Sequence, residues 1–377
     1  MRLTSIFLAV LCLTGCKPKD DAAPDPKAQA DGLYLAGTAA YMKGEFKQAH
    51  DHYAEVKKLN PTDPRLPAAE GEVYLAEVKL DDALKSFEEA VKLEPKRATT
   101  WSRLGFIHSL KGRPAEAKHA LTRALELNPR DFNALESMAE MDLKEKNLDE
   151  AVKHFLAASQ AAPEAVRAPL AMRAVEELTK GGRDGEALQL LEATVKKGIT
   201  SPEMFSELGD RLVGAGRLPE AVVAYTDAAK ANPADPALWE LVGELQMKLD
   251  KPADAEAAFR ESLRVKDRGV VHASLARLCQ ARKDAACTKS ELDQALTKAS
   301  GEEPRELIDI ADLLASVGRK ADALALLKGL ADEEESAGDA PLQLKLARLA
   351  KEVGDPPTLK AACDRVLASD AGVKKCP

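Results

Sequence analysis

The residues that could do chemistry in this chain are few and scattered. Six histidines occur in 377 residues, and only His50 and His52 stand close together. Two residues apart on a helix they point to different faces, so they do not converge on a metal ion. Gly214-Ala215-Gly216 lacks the lysine and the Ser/Thr that must follow a phosphate-cradling loop. No serine sits in a Gly-x-Ser-x-Gly elbow. No cysteine pair is spaced Cys-x2-Cys for zinc. Catalytic residues, cofactors and metal ligands are therefore expected to be absent, and the chain reads as a non-enzyme. Its net charge of −8 argues against a nucleic-acid partner, because phosphate binding needs a basic surface. What remains is surface for binding other macromolecules, and the elements that shape it.

The chain opens with Arg2 and a largely apolar run from Leu3 to Leu13, too short to span a bilayer. The run closes on Leu13-Thr14-Gly15-Cys16, which resembles the bacterial lipobox. The resemblance implies a signal peptide over residues 1–15 and a lipidated Cys16 as the mature N-terminus, since several acyl chains together anchor a protein stably. Lys17 after the cysteine implies delivery to the outer membrane, facing the periplasm. Residues 16–30 carry three prolines and almost no large apolar side chain, the composition of a flexible tether.

From there a 34-residue period takes over. Pro61, Pro95, Pro129 and Pro163 are spaced by it, and so are most of Ala49, Ala83, Ala117, Ala151, Ala187, Ala221, Ala255 and Ala323. Four residues after each alanine comes a large residue, in order Tyr53, Phe87, Leu121, Phe155, Leu191, Tyr225, Phe259 and Leu327. That spacing puts small and large side chains on one helical face. Glycine precedes the alanine by five at Gly44, Gly112, Gly182, Gly216 and Gly318, where a first helix ends in a left-handed cap and the chain reverses. Two extra residues fall near Gly181-Gly182. In the eighth unit the alanine position reads Lys289 and no glycine marks the turn.

These residues resemble the tetratricopeptide repeat family, most closely through Trp101, Leu104, Gly105, Ala117, Leu121, Ala124 and Pro129, and again through Trp239, Gly243, Ala255 and Phe259. The resemblance implies an all-α, right-handed superhelical solenoid of about ten antiparallel helix pairs. Units 1–4 fall at 31–165, units 5–7 at 166–269, a degenerate unit 8 at 270–303, unit 9 at 304–338 and a capping helix pair with its tail at 339–377. In this family the first helix of each pair lines the concave side. The positions it exposes are here Tyr34, Tyr41 and Phe106, then Glu136 and Glu140, then Glu203, Ser206, Asp210, Glu240 and Glu244. An aromatic stretch followed by a row of carboxylates implies a basic or extended protein segment as ligand.

Export makes disulfides permissible, and Cys279, Cys287, Cys363 and Cys376 lie beyond the signal. Cys279 and Cys287 are equally far from the eighth unit's turn, as bridging two helices of a hairpin requires. Cys363 and Cys376 would pin the tail, with connectivity among the four open. The function this predicts is a membrane-anchored interaction scaffold in the cell envelope, serving assembly of a surface or secretion structure. The alternatives are a polysaccharide-export or secretion-associated lipoprotein, and a regulatory subunit of a cell-wall enzyme.

Overall fold

A computed structural model describes residues 25–332 and 339–369. The signal segment, Cys16, the run Glu333-Glu334-Glu335 and Cys376 lie outside the described residues. Among the described residues there are twenty α-helices and no strand. None of these helices is long and apolar enough to cross a membrane.

The chain divides into two compact units, Met1–Ala174 and Val175–Pro377. The first holds four helical hairpins. These are α1 (Pro26–Met42) with α2 (Phe46–Leu59), α3 (Leu66–Ala76) with α4 (Leu80–Leu93), α5 (Ala98–Leu110) with α6 (Pro114–Leu127), and α7 (Phe132–Lys144) with α8 (Leu148–Ala161). Helix α9 (Glu164–Lys180) crosses the boundary. The second unit continues with α10 (Asp184–Lys196) and five hairpins: α11 (Pro202–Gly214) with α12 (Leu218–Ala231), α13 (Pro236–Lys248) with α14 (Pro252–Val265), α15 (Gly269–Ala281) with α16 (Ala285–Thr297), α17 (Pro304–Ser316) with α18 (Lys320–Ala331), and α19 (Ala340–Val353) with α20 (Pro356–Ser369).

Most hairpins close on a repeated pair of buried residues. The eight periodic alanines are all fully buried, and the large residue four positions on is buried beside them. In five hairpins that large residue lies against a glycine of the first helix. A Cβ added to Gly37, Gly71, Gly105, Gly209 or Gly243 would come within 2.5, 2.8, 2.6, 2.7 and 2.5 Å of Tyr53, Phe87, Leu121, Tyr225 and Phe259 respectively. Only a missing side chain lets the two helices approach this closely.

The turns follow one rule whatever residue occupies them. Gly44, Gly112, Gly182, Gly216, Gly318 and Gly354 have positive φ. At the equivalent place in the other hairpins stand Val78, Lys146, Asp250 and Lys283, with φ of 61°, 63°, 57° and 60°. Helix packing imposes the left-handed conformation even on β-branched Val78, against its own preference.

Three expectations need correcting. Helix α1 starts inside the segment assigned to the tether: Asp25 caps it by accepting from the Lys27 N–H, Pro26 opens its first turn, and Ala30 is buried. The extra residues of the fifth unit lie in α9, which has 17 residues against 13 in α7, rather than at the Gly181-Gly182 turn. In the eighth unit the turn residue is Lys283, so the small buried position five residues on is Thr288, not Lys289. Thr288 is 8% exposed and is followed four later by buried Leu292, whereas the Lys289 side chain is 77% exposed. The unit has lost a residue before its turn. Cys279 and Cys287 are disulfide-bonded across that turn, with 5.6 Å between their Cα atoms. Cys363 is disulfide-bonded as well.

Two substitutions test this packing. Gly243→Ala should destabilise the protein by about 1–3 kcal/mol through overpacking against Phe259. Gly329→Ala, where nothing lies within 4 Å, should be neutral or stabilising by up to about 1 kcal/mol; urea melting of both variants provides the comparison. Val78→Gly should relieve the left-handed strain and stabilise its hairpin by about 1 kcal/mol, since the 76% exposed valine contributes little packing. Increased amide protection in α3 and α4 would register it.

Candidate functional site

The first helices of the first unit, α1, α3, α5 and α7, line a series of neighbouring cavities. The first, about 160 Å³, is lined by Tyr34, Thr38, Tyr41, Tyr53, Glu72, Arg97, Thr100 and Arg103, among others. The second, about 460 Å³, shares Arg103 with it and adds Ser102, Phe106, Ser109, Leu110, Asn133, Glu136, Ser137, Glu140 and Lys144. The third, about 350 Å³, shares Ser109 and Lys144 with the second and ends at Met141 and Glu145. Shared wall residues set the three side by side as one row across the unit. Tyr34, Tyr41, Phe106, Glu136 and Glu140 all lie on it.

The aromatic end is already well organised. The Tyr34 ring sits between Tyr53, at 5.8 Å between centroids, and the Arg65 guanidinium, 4.5 Å from its centroid. Arg65 is held there by Asp31 and Asp63, each at 2.6 Å. Thr38 donates to the Tyr34 carbonyl at 3.0 Å and meets the Tyr53 hydroxyl at 3.2 Å. Burial and the nearby Glu72 carboxylate push the Tyr41 hydroxyl above its ordinary pKa, so it remains a hydrogen-bond donor.

Charge along the path is mostly paired between successive first helices. Arg103 Nε donates to Glu72 at 2.7 Å, Arg173 donates to Glu140 at 3.1 Å, and Lys144 Nζ reaches Ser109 at 3.3 Å. Glu136 is the exception, with no hydrogen-bond or ion-pair partner among the described residues. It is half-buried, and burial together with Glu140 raises its carboxyl above the usual range. The Ser102 hydroxyl on the same cavity has no partner either, although the residue is only 2% exposed.

The five site residues expected further along do not join this path, and none lines any of the cavities above. Glu203 is exposed at the start of α11. Asp210 accepts from the Tyr225 hydroxyl. Ser206 lies half-buried between them on α11, and Glu244 is exposed on α13. Glu240 is clamped by Arg268 at 2.9 Å and accepts from Ser262 at 3.1 Å. The same guanidinium binds Glu302 at 2.7 Å and Glu306 at 2.7 Å. The row of carboxylates is therefore not a set of free anions: Glu140 and Glu240 are ion-paired with arginines and Asp210 is hydrogen-bonded by a phenol. Repeat spacing did not single out Glu72, Arg103 or Ser102. Glu72 was reachable, because it follows Gly71 as Thr38 follows Gly37 and Phe106 follows Gly105.

Nothing here assembles a reactive centre. No group of three His, Cys, Asp or Glu side chains among the described residues could hold a metal ion. His50 meets Glu77 at 2.9 Å, and His108 is buried, which lowers its pKa.

Family models described as tetratricopeptide repeat match residues 98–131 and 206–269. The chain is 31% identical over 121 residues to the small glutamine-rich tetratricopeptide repeat-containing protein 2 of Saccharomyces cerevisiae, covering 32% of this chain and 34% of that protein. It is 32% identical over 100 residues to the Hsp70-Hsp90 organizing protein of Triticum aestivum, covering 26% of this chain and 17% of that one. The matches thus span about a third or less of these relatives. Among solved structures, MamA matches with TM-score 0.38 and 20% identity, over 45% of this chain and 92% of that one. YrrB, a TPR protein with an unusual peptide-binding site, matches with TM-score 0.35 and 22% identity, over 45% and 87%. Residues 98–131 and 206–269 match tetratricopeptide repeats, and these two segments contain the close contacts of Gly105 with Leu121, Gly209 with Tyr225 and Gly243 with Phe259.

Proposed function

We propose that this protein is a non-catalytic scaffold that binds an extended, basic segment of another protein along the path lined by α1, α3, α5 and α7. The observation that carries the reading is the row of three neighbouring cavities that share Arg103, Ser109 and Lys144 as wall residues. A row of cavities along four successive helices suits a chain in extended conformation better than a compact small molecule. Its apolar surface comes from Tyr34, Tyr41, Phe106 and Leu110, which are rigid or exposed anchors of the kind that dominate binding energy. Glu136, which makes no hydrogen bond or ion pair of its own, favours a positively charged ligand. Panning a random dodecapeptide phage library on the full chain should enrich basic sequences, and Tyr34→Ala with Phe106→Ala should abolish the enrichment. Enrichment that survives both substitutions would contradict the assignment of the groove.

We further propose that the scaffold works at the outer membrane, facing the periplasm, where it holds partners during assembly of a surface or secretion structure. The support is Leu13-Thr14-Gly15-Cys16 with Lys17 after it. A diacylated Cys16 would supply the anchor. Cys16→Ser should move the protein from the membrane fraction to the soluble fraction; unchanged fractionation would rule out lipid anchoring at this cysteine.

A further inference from the structure

The outward face of α1 is apolar and bare. Two residues after the close-contact glycine stand Val73 in α3, Ile107 in α5 and Leu245 in α13, and all three are buried. The first two are covered by the second helix of the hairpin before: Val73 packs with Ala49, Tyr53 and Val56 of α2, and Ile107 with Ala83, Leu84 and Phe87 of α4. The same position in α1 is Ala39, which is exposed, because no helix precedes α1 among the described residues. Four residues before it Leu35 is 67% exposed, and three after it Met42 is 82% exposed. Spacing of four and three sets these side chains in one stripe along the helix. The end unit of a repeat stack ordinarily turns a polar face outward, so an apolar stripe there marks a surface that something covers.

We infer that α1 docks on the lipid bilayer, its Leu35, Ala39 and Met42 stripe entering the boundary between headgroups and acyl chains. This rests on lipid anchoring at Cys16 and adds that the folded chain itself, beyond the acyl chains, touches the membrane. Residues 17–24 separate Cys16 from Asp25, the cap of α1. That length reaches at most roughly 30 Å, so an anchored Cys16 confines α1 to the neighbourhood of the bilayer surface. A helix lying in the plane of a membrane buries its apolar side at this depth. Lys27 before the stripe and Lys43 and Lys47 after it are exposed and in no ion pair among the described residues, and such lysines are drawn to anionic headgroups. They outnumber the carboxylates nearby that lack an ion pair, Asp25 and Glu45, since Asp31 is held by Arg65. Three apolar side chains alone are too few to hold a protein from solution, but the tether makes docking an intramolecular step at high effective concentration. Tyr34 and Tyr41 stand on the same helix, so docking sets the aromatic end of the groove at the membrane surface.

The test uses the protein purified from membranes and reconstituted in vesicles of phosphatidylethanolamine and phosphatidylglycerol, with flotation reporting whether it is anchored. Oxidation of Met42 by dilute hydrogen peroxide, followed by mass spectrometry, reads the docked state. Met42 should oxidise at least fivefold more slowly on the vesicles than in Cys16→Ser protein mixed with the same vesicles, while half-buried Met138 oxidises at equal rates in both. Leu35→Ser should return Met42 to the Cys16→Ser rate without lowering the melting temperature, since the leucine contributes little packing within the protein. Vesicle-borne protein whose Met42 oxidises as fast as that of Cys16→Ser would overturn docking and leave the anchor standing. Protein that fails to float with the vesicles would overturn both. Protection of Met42 that persists without vesicles and grows with protein concentration would assign the face to a second copy of the chain and overturn the membrane contact.

Discussion

Everything in this molecule depends on how closely two helices of a hairpin can lie. Where a glycine on the first helix meets a ring or a leucine sixteen residues later, the helices approach until a single methyl group would collide. Burying that side chain contributes roughly 1.5–3 kcal/mol per hairpin. Repetition of the contact in five hairpins gives them the same close spacing, so that successive repeats present their first helices in equivalent positions. The short reversal between the helices then has to take a left-handed residue. Packing overrides local preference at that point, since valine, aspartate and two lysines adopt the conformation that glycine adopts elsewhere.

The same geometry creates the binding surface. Because α1, α3, α5 and α7 are successive copies of one element, side chains at equivalent positions face a common path and can reach the next copy. The ion pairs on it accordingly link residues about one repeat apart: Glu72 with Arg103 across 31 positions and Glu140 with Arg173 across 33. These pairs engage Glu72 and Glu140 and leave Glu136 without a bonded partner. Partly exposed pairs of this kind add little stability each, so their main effect is on which ligand charges are tolerated.

Much of the fold was legible in the sequence, because it is written as spacing. Alanine followed four later by a large residue identified the second helices, and glycine five before the alanine identified most turns. The eighth unit defeated this rule, since Lys283 occupies the turn one residue early and Thr288 replaces alanine; only the backbone shows that the register slipped. The aromatic residues and Glu136 were legible from repeat positions. Availability was not, because whether a carboxylate is free depends on arginines a full repeat away or on a phenol in the facing helix, as with Glu240 and Asp210. The orphaned Ser102 hydroxyl had no sequence signal, as serine is ordinary at a helix position and its isolation is purely a matter of surroundings.

The most direct measurement of the underlying claim is a double-mutant cycle between Gly209 and Tyr225, read as unfolding free energies of Gly209→Ala, Tyr225→Ala and the pair. If close approach governs the hairpin, the added methyl will be harmful against the intact ring and tolerated once the ring is gone, giving a coupling of about 0.5–3 kcal/mol. Additive effects would mean that the two residues do not constrain each other and that the close spacing of the hairpin has another origin.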